Sequence, residues 1–397
     1  MSLSDAIARR RAPSGQRGSR RTGSPLLALP GSVEVRVRGE PFEIRIQRPG
    51  RGWRAIEDEL DAAGVPLPLS YRHDWVVRRR GPDHRLFSAH SPDGRCRAMA
   101  AVELTKTRAA PGHVVARGER LGPAVDPEAL AAVTVGIGQI LTPLSRVLRV
   151  EVASKSLDPK TRAAVAAHLR PLGFRRSPEA RDYERTIVVD LDGDEEALLA
   201  HFHHTARRHI RAIDKRPVRL GVIDDPALVE PMNALVAETR RRTHGPMPVT
   251  SLASMVDLAR ARPDLVRIVG VFSEADGELL AFATGDWQGD HASYAEAAST
   301  RHSRLHLALG YAPLWELMRW AKTQGAEHFD LGGITGGSFH DDEDPLGGIS
   351  DFKRLFRGRE LLVGEEWVAE PRALRAAIAT QVSRAARWAR ATLRDLL

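Results

Sequence analysis

The sequence has one cysteine, Cys96, so it can build neither an intrachain disulfide nor a cysteine-based zinc cage, which suits a reducing compartment. It also lacks any apolar run near the roughly 18 residues that a membrane-crossing helix needs. A soluble protein is expected. Hydrophobic residues make up 42% of the 397 positions, enough for real cores. A single core seldom grows beyond about 250 residues, so two domains are expected. The start, Met1 to Ser32, has no apolar segment of the secretory kind and scatters Arg9, Arg10, Arg11, Arg17, Arg20 and Arg21 among Gly, Ser and Pro. We read residues 1–32 as a disordered, basic, cytoplasmic tail.

Several signatures are absent. The glycines of Gly332-Gly333-Ile334-Thr335-Gly336-Gly337-Ser338 fit neither the dinucleotide fingerprint nor a Walker loop, and Ser338 lacks the spacing of a nucleophile elbow. The acidic run His340-Asp341-Asp342-Glu343-Asp344 lacks the spacing of a calcium loop. His201, His203, His204 and His209 lack the helical i, i+4 pattern with a glutamate that a zinc protease needs. No metal site is expected, and no cofactor is assigned.

What is present begins with positive charge. The formal net charge is +8, supplied mostly by arginine, so an anionic partner could bind through its phosphates. Nucleic acid, nucleotide-linked sugars and anionic lipid head groups all qualify, and so does a coding bias towards arginine with no partner at all.

Along the chain, Val33 to Val37 and Phe42 to Ile46 alternate apolar and charged residues around Gly39-Glu40-Pro41, the pattern of a hairpin. Strand patterns follow at Arg85 to Ala89, Cys96 to Leu104 and His113 to Ala116. A helix is expected from Asp126 to Leu141, a strand from Val147 to Val152, and a helix from Pro159 to Leu169. A second unit opens at Thr186 to Leu191, with a capping-box-like start at Asp192 and Glu195, and repeats the plan through strands at Val266 to Phe272, Leu279 to Thr284 and Ala292 to Ala297. A helix from Pro313 to Thr323 and the strand His328 to Leu331 close it. The repeated order implies an internally duplicated α+β architecture. The last segment, Pro371 to Leu397, lines up Leu374, Ile378, Val382, Ala385 and Trp388 with Arg375, Arg384, Arg387 and Arg394 mostly elsewhere. Such a basic amphipathic helix can lie on an anionic membrane or on RNA, but docking of its apolar face on its own protein is expected.

Two groups of residues stand out as chemistry. Arg208 and Arg211, three apart on a helix, fall on adjacent turns of one face and could clamp a phosphate, or form only a solvated basic face. Lys353 lies in Gly348-Ile349-Ser350-Asp351-Phe352-Lys353-Arg354-Leu355-Phe356, where Phe352 and Phe356 can pack together and hold the lysine on a fixed element. A held ammonium can stabilise negative charge on an acyl oxygen, an effect worth about 3 kcal/mol for one such donor.

Phe329-Asp330-Leu331-Gly332-Gly333-Ile334, followed by Gly348-Ile349 and Phe352-Lys353, with Trp320-Ala321-Lys322-Thr323-Gln324-Gly325 upstream, resembles the FemABX family of peptidoglycan aminoacyltransferases. Leu172 to Arg175, Thr186 to Leu191 and Thr205 to Arg211 add to the resemblance, which spans roughly Asp74 to Val368. It implies an α+β fold of two tandem GNAT-like domains with mixed, largely antiparallel sheets, at 33–185 and 186–370, followed by a basic amphipathic helix at 371–397. The implied activity moves an amino acid from aminoacyl-tRNA to an amine of a nucleotide- or lipid-linked peptidoglycan precursor, in the cytoplasm or at the inner face of the membrane. By resemblance Lys353 stabilises the ester carbonyl oxygen with Phe352 beside it, Tyr294 lines the substrate site, and Arg208 and Arg211 lie near the precursor phosphates. Asp330, Gly332 and Gly333 join them as substrate-binding residues, and no general base is assigned. Where the family carries an early aromatic and lysine motif, this chain has Tyr71-Arg72-His73-Asp74-Trp75, and no heptad stretch marks a helical arm. An acyl-CoA-dependent GNAT enzyme and a non-catalytic relative binding RNA or anionic lipid are the competing readings.

Overall fold

The computed structural model describes residues 26–79, 81–178, 183–243, 251–301, 308–341, 344 and 346–395. The first half runs β1 (Ser32–Val37), β2 (Glu40–Gln47), α1 (Arg51–Ala62), α2 (His73–Val76), β3 (Asp83–His90), β4 (Cys96–Lys106) and β5 (Val114–Leu121). It continues through α3 (Pro127–Leu141), β6 (Val147–Lys155), α4 (Pro159–Leu169) and β7 (Arg175–Arg176). The second half opens with β8 (Arg185–Asp190), α5 (Glu195–His201), α6 (His204–Ala212), β9 (Val218–Val222), α7 (Val229–Thr243) and α8 (Leu252–Ala261). Then come β10 (Val266–Ser273), β11 (Leu279–Gln288), β12 (His291–Ser299), α9 (Tyr311–Thr323), β13 (His328–Gly333) and α10 (Gly347–Arg354). The chain closes with β14 (Arg359–Leu362), β15 (Gly364–Ala369) and α11 (Ala373–Asp395).

Local chemistry explains several boundaries. Asp126 caps α3 by accepting from Ala129 N–H at 2.7 Å, with Pro127 in the first turn where its missing N–H costs nothing. Asp194 caps α5, accepting from Ala197 N–H at 2.8 Å, so the cap lies two residues beyond the expected Asp192. The first hairpin turns at Arg38 and Gly39, both left-handed with φ of 51° and 90°, as a two-residue turn between twisted strands requires.

Among the described residues the strands form two sheets, ordered β1-β2-β3-β4-β5-β6-β15-β7 and β14-β8-β13-β12-β11-β10-β9. Each contains the same core: antiparallel strands, then a helix crossing to a parallel neighbour, β5-α3-β6 in the first and β12-α9-β13 in the second. The duplication read from the sequence is therefore a duplication of fold. One strand lies outside the unit its position suggests. β15, within the span 186–370, runs antiparallel to β6 and completes the first sheet rather than the second. Trp367 of β15, buried in the first core, supplies the hydrophobic reason. Arg78 and Asp257, at 2.9 Å, and Arg262 and Asp74, at 3.4 Å, further join the halves.

α11 departs from expectation. It docks through Ala376 and Ala379 on Leu148, while Leu374, Ile378 and Val382 face outward at 77%, 56% and 48% exposure. Alanine allows close approach of the helix to β6, which turns the larger aliphatic residues away.

The second core is built around rings. Phe356 is fully buried, with Phe202 at 5.2 Å, Phe352 at 5.7 Å and Tyr311 at 5.8 Å between centroids. Truncation of Phe356 to alanine is expected to lower stability by about 3–5 kcal/mol in urea denaturation. A loss below about 1 kcal/mol would contradict this placement.

Candidate active site

The site forms where β12 and β13 part. They pair in parallel only from His291, Ala292 and Ser293 to His328, Phe329 and Asp330, and then diverge. Beyond the pairing, Gly332 adopts φ of 75°, a left-handed conformation that turns the chain without the strain a side chain would impose. Its N–H donates to Asp330 Oδ1 at 2.7 Å, and the Thr186 hydroxyl donates to the same oxygen. Gly333 lies under the Tyr183 ring, where a Cβ would come within 2.4 Å.

Asp330 is buried, which by itself would raise its pKa. His291, Thr186 and the Gly332 N–H outweigh that cost and hold the carboxyl below its ordinary range. His291 Nε2 lies 3.9 Å from Asp330 Oδ2.

Lys353 comes from α10, which the ring cluster fixes: Phe352 sits 4.6 Å from Tyr311, and Phe356 lies beneath both. Only Phe356 is fully buried; Phe352 is half-buried at the edge. The lysine is 5% exposed. Its Nζ donates to the Gly333 carbonyl at 2.7 Å and stands 5.4 Å from the Tyr294 ring centroid. An ammonium has three donors, so two are left without a partner among the described residues. Burial lowers its pKa to about 8, against the opposing pull of Asp330. At neutral pH the group is still mostly an ammonium, desolvated and held in one place. Burial likewise pushes the Tyr294 phenol up, so it stays neutral.

On the other side of Asp330 a cleft of about 320 Å³ opens between the halves, lined in part by Pro66, Arg120, Lys155, Tyr183, His291 and Asp330. Arg120 has φ of 55°, an uncommon backbone conformation for a non-glycine residue. Lys155 Nζ lies 3.8 Å from the Tyr183 ring centroid. Asp330 thus faces the cleft and also acts on Lys353. Asp286, which burial shifts upward, is bound to Gln288 Nε2 at 2.6 Å, and the same amide nitrogen reaches Ser293 Oγ at 2.9 Å.

The structure therefore brings together Lys353, Asp330, Gly332, Gly333 and Tyr294, with Phe352 behind them. Arg208 and Arg211 lie elsewhere, exposed on α6. Of the two, Arg208 reaches towards the site through Tyr311: its charge acts on the phenol, and the neighbouring His209 stacks on the ring at 5.1 Å. Arg120, Lys155, Tyr183 and His291 were not singled out in the sequence, and Thr186 was read there only as the start of a strand. None stands in a motif of fixed spacing, and only the fold assembles them. The acidic run is partly structural, because Asp344 accepts from Gly337 N–H at 3.1 Å and Leu346 N–H at 3.0 Å. Asp342 and Glu343 lie outside the described residues, as do Arg304 to Leu307.

Residues 200–354, which contain β12, β13 and Lys353, match the family model described as acetyltransferase (GNAT) domain. The crystal structure of FemX superposes with a TM-score of 0.64 at 14% identity, covering 82% of this chain and 96% of that one. A tandem GNAT protein from the clavulanic acid biosynthesis pathway gives a TM-score of 0.50 at 13% identity, with 83% and 98% covered. The fold is a tandem GNAT-like fold. L-PGS from Bacillus licheniformis shares it at a TM-score of 0.51 and 14% identity, over 85% of this chain and 97% of that one. No curated protein matches the sequence. The family match supports an acyltransferase, and the tandem GNAT-like fold puts the parted strands and Lys353 in its second unit.

A buried ammonium costs stability until it loses its proton. The folded pKa is near 8 and the ordinary value is 10.5, so the penalty is fully present below pH 8 and is relieved as pH rises towards 10.5. Lys353→Met is therefore expected to be more stable than the native chain at pH 7, by about 1–3 kcal/mol, with the gap closing above pH 8. Denaturation curves across that range check it; a variant less stable at every pH would contradict it.

Proposed function

We propose that the chain is an aminoacyl-tRNA-dependent N-acyltransferase that adds an amino acid to an amine of a peptidoglycan or other cell-envelope precursor. The observation that carries the proposal is the desolvated Lys353 ammonium, fixed beside the opening between β12 and β13. The residue pattern that resembles FemABX proteins supports the choice of donor, and the fold shared with FemX is compatible with it.

In this reading the neutral amine attacks the ester carbonyl of the donor, forming the C–N bond and placing negative charge on the carbonyl oxygen. Lys353 donates to that oxygen from an environment where little water competes, which makes the interaction stronger than in solution. Collapse breaks the C–O bond to the tRNA ribose, and the proton lost by the amine balances the one gained by the ribose oxygen. An activated ester asks mainly for orientation and oxyanion stabilisation, so no general base is assigned. Phe352 and Tyr294 confine the reacting group, while Asp330, Gly332 and Gly333 shape the wall between it and the cleft. Arg120 and Lys155 supply positive charge for an anionic acceptor in the cleft, and Arg208 with Arg211 offer a second phosphate contact on α6. Such an enzyme would work in the cytoplasm, with access to the inner face of the membrane.

An acyl-CoA-dependent reaction is the second reading, favoured by the acetyltransferase (GNAT) match over residues 200–354. The decisive assay follows a labelled amino acid from charged tRNA onto muropeptides and nucleotide-linked precursors. Transfer that falls about 10²–10³-fold in Lys353→Met is expected. Absence of transfer from every charged tRNA, with tight calorimetric binding of acetyl-CoA, would reverse the order of the two readings.

A further inference from the structure

We infer that the outward face of α11 is a docking surface for an anionic phospholipid bilayer, a role separate from the chemistry at Lys353. Leu374, Ile378 and Val382 recur every fourth residue, forming one stripe along the helix. All three are exposed, while the opposite face of the same turns is taken up by Ala376 and Ala379 against Leu148. A terminal helix that only covered its own core would bury its largest aliphatic residues. Among its described side chains, this one buries the smallest.

The charge around the stripe selects the partner. Within α11 the charged residues are Arg375, Arg384, Arg387, Arg390 and Arg394, against Asp395 alone. By helical phase Arg375 borders the apolar stripe, the arrangement that places a cation at head-group level when the stripe enters the interface. At the base of the helix, Arg146 donates to the Gly112 carbonyl at 2.9 Å, Arg372 to the Pro371 carbonyl at 3.0 Å, and Arg375 approaches His113 Nε2 at 3.1 Å. Among the described residues none of these three arginines is paired with a carboxylate, so their charge is left for an external anion. Aliphatic side chains between uncompensated guanidinium groups fit a surface that offers apolar depth and anionic head groups together. RNA would use the arginines and leave the aliphatic stripe without a partner.

The test uses the full chain with vesicles of phosphatidylcholine alone or mixed with phosphatidylglycerol, read by co-sedimentation. Binding to the mixed vesicles is expected, weakening as salt rises. It should fall at least about tenfold in the double variant Leu374→Glu with Ile378→Glu, because each change puts a charge where the stripe enters the interface. Both positions are exposed, so the melting temperature and acyl transfer to a soluble acceptor should be unchanged. The inference is overturned if the variant binds the mixed vesicles as well as the native chain, or if phosphatidylcholine alone binds equally. It is also overturned if the substitutions instead dissociate a dimer seen by light scattering, or abolish binding of an RNA oligonucleotide by a chain that ignores vesicles.

Discussion

One hydrogen bond organises the candidate site: the Lys353 ammonium held at 2.7 Å on the Gly333 carbonyl, almost wholly out of water. A desolvated cation is costly, and the fold tolerates it by surrounding it with a carbonyl, an aromatic face and the nearby Asp330 carboxylate. Its position depends on α10, and α10 depends on Phe352 and Phe356 gripping Tyr311 and Phe202. The acceptor of its hydrogen bond in turn depends on Gly332, whose left-handed turn lies in the irregular stretch of β13 between Asp330 and Gly333, after which Gly333 pairs again with Thr186 of β8. Packing, backbone conformation and electrostatics therefore meet at one nitrogen atom.

Asp330 connects this point to the cleft between the halves. Buried, yet held ionised by His291, Thr186 and the Gly332 N–H, it presents negative charge to both the lysine and the cleft wall. The two halves contribute unequally: the first provides Arg120 and Lys155, the second the parted strands and the ammonium. β15 makes the arrangement a single unit. By returning from the second unit to complete the first sheet beside β6, it follows closely on α10 and β14 and ties the site-bearing element to the neighbouring core.

Much of this was legible in the sequence. The alternation of β1 and β2, the strand patterns leading to α3 and α9, and the repeated order gave the duplicated α+β plan, because periodicity reports burial directly. Lys353 could be singled out because Phe352 and Phe356 stand at helical spacing around it. What could not be read depends on contacts distant in sequence. Nothing near Trp367 says that its strand joins β6, and Thr186 meets Asp330 only because β8 and β13 are neighbours. Arg120 and Lys155 belong to strands of the other half. α11 misled for a different reason: helical phase correctly identified an aliphatic stripe but could not show that small alanines on the opposite side would allow the closer contact. Charge composition allowed an anionic partner or none, and placed no site for one.

The central claim is that Lys353 is a desolvated ammonium, shifted by burial and held in place as a hydrogen-bond donor. Its titration by NMR, followed on the side-chain carbon next to Nζ and assigned by comparison with Lys353→Met, tests this most directly. The account predicts half-protonation near pH 8, moving lower still in Asp330→Asn because the opposing carboxylate charge is removed. A midpoint at the ordinary lysine value of 10.5, unchanged by that substitution, would contradict it.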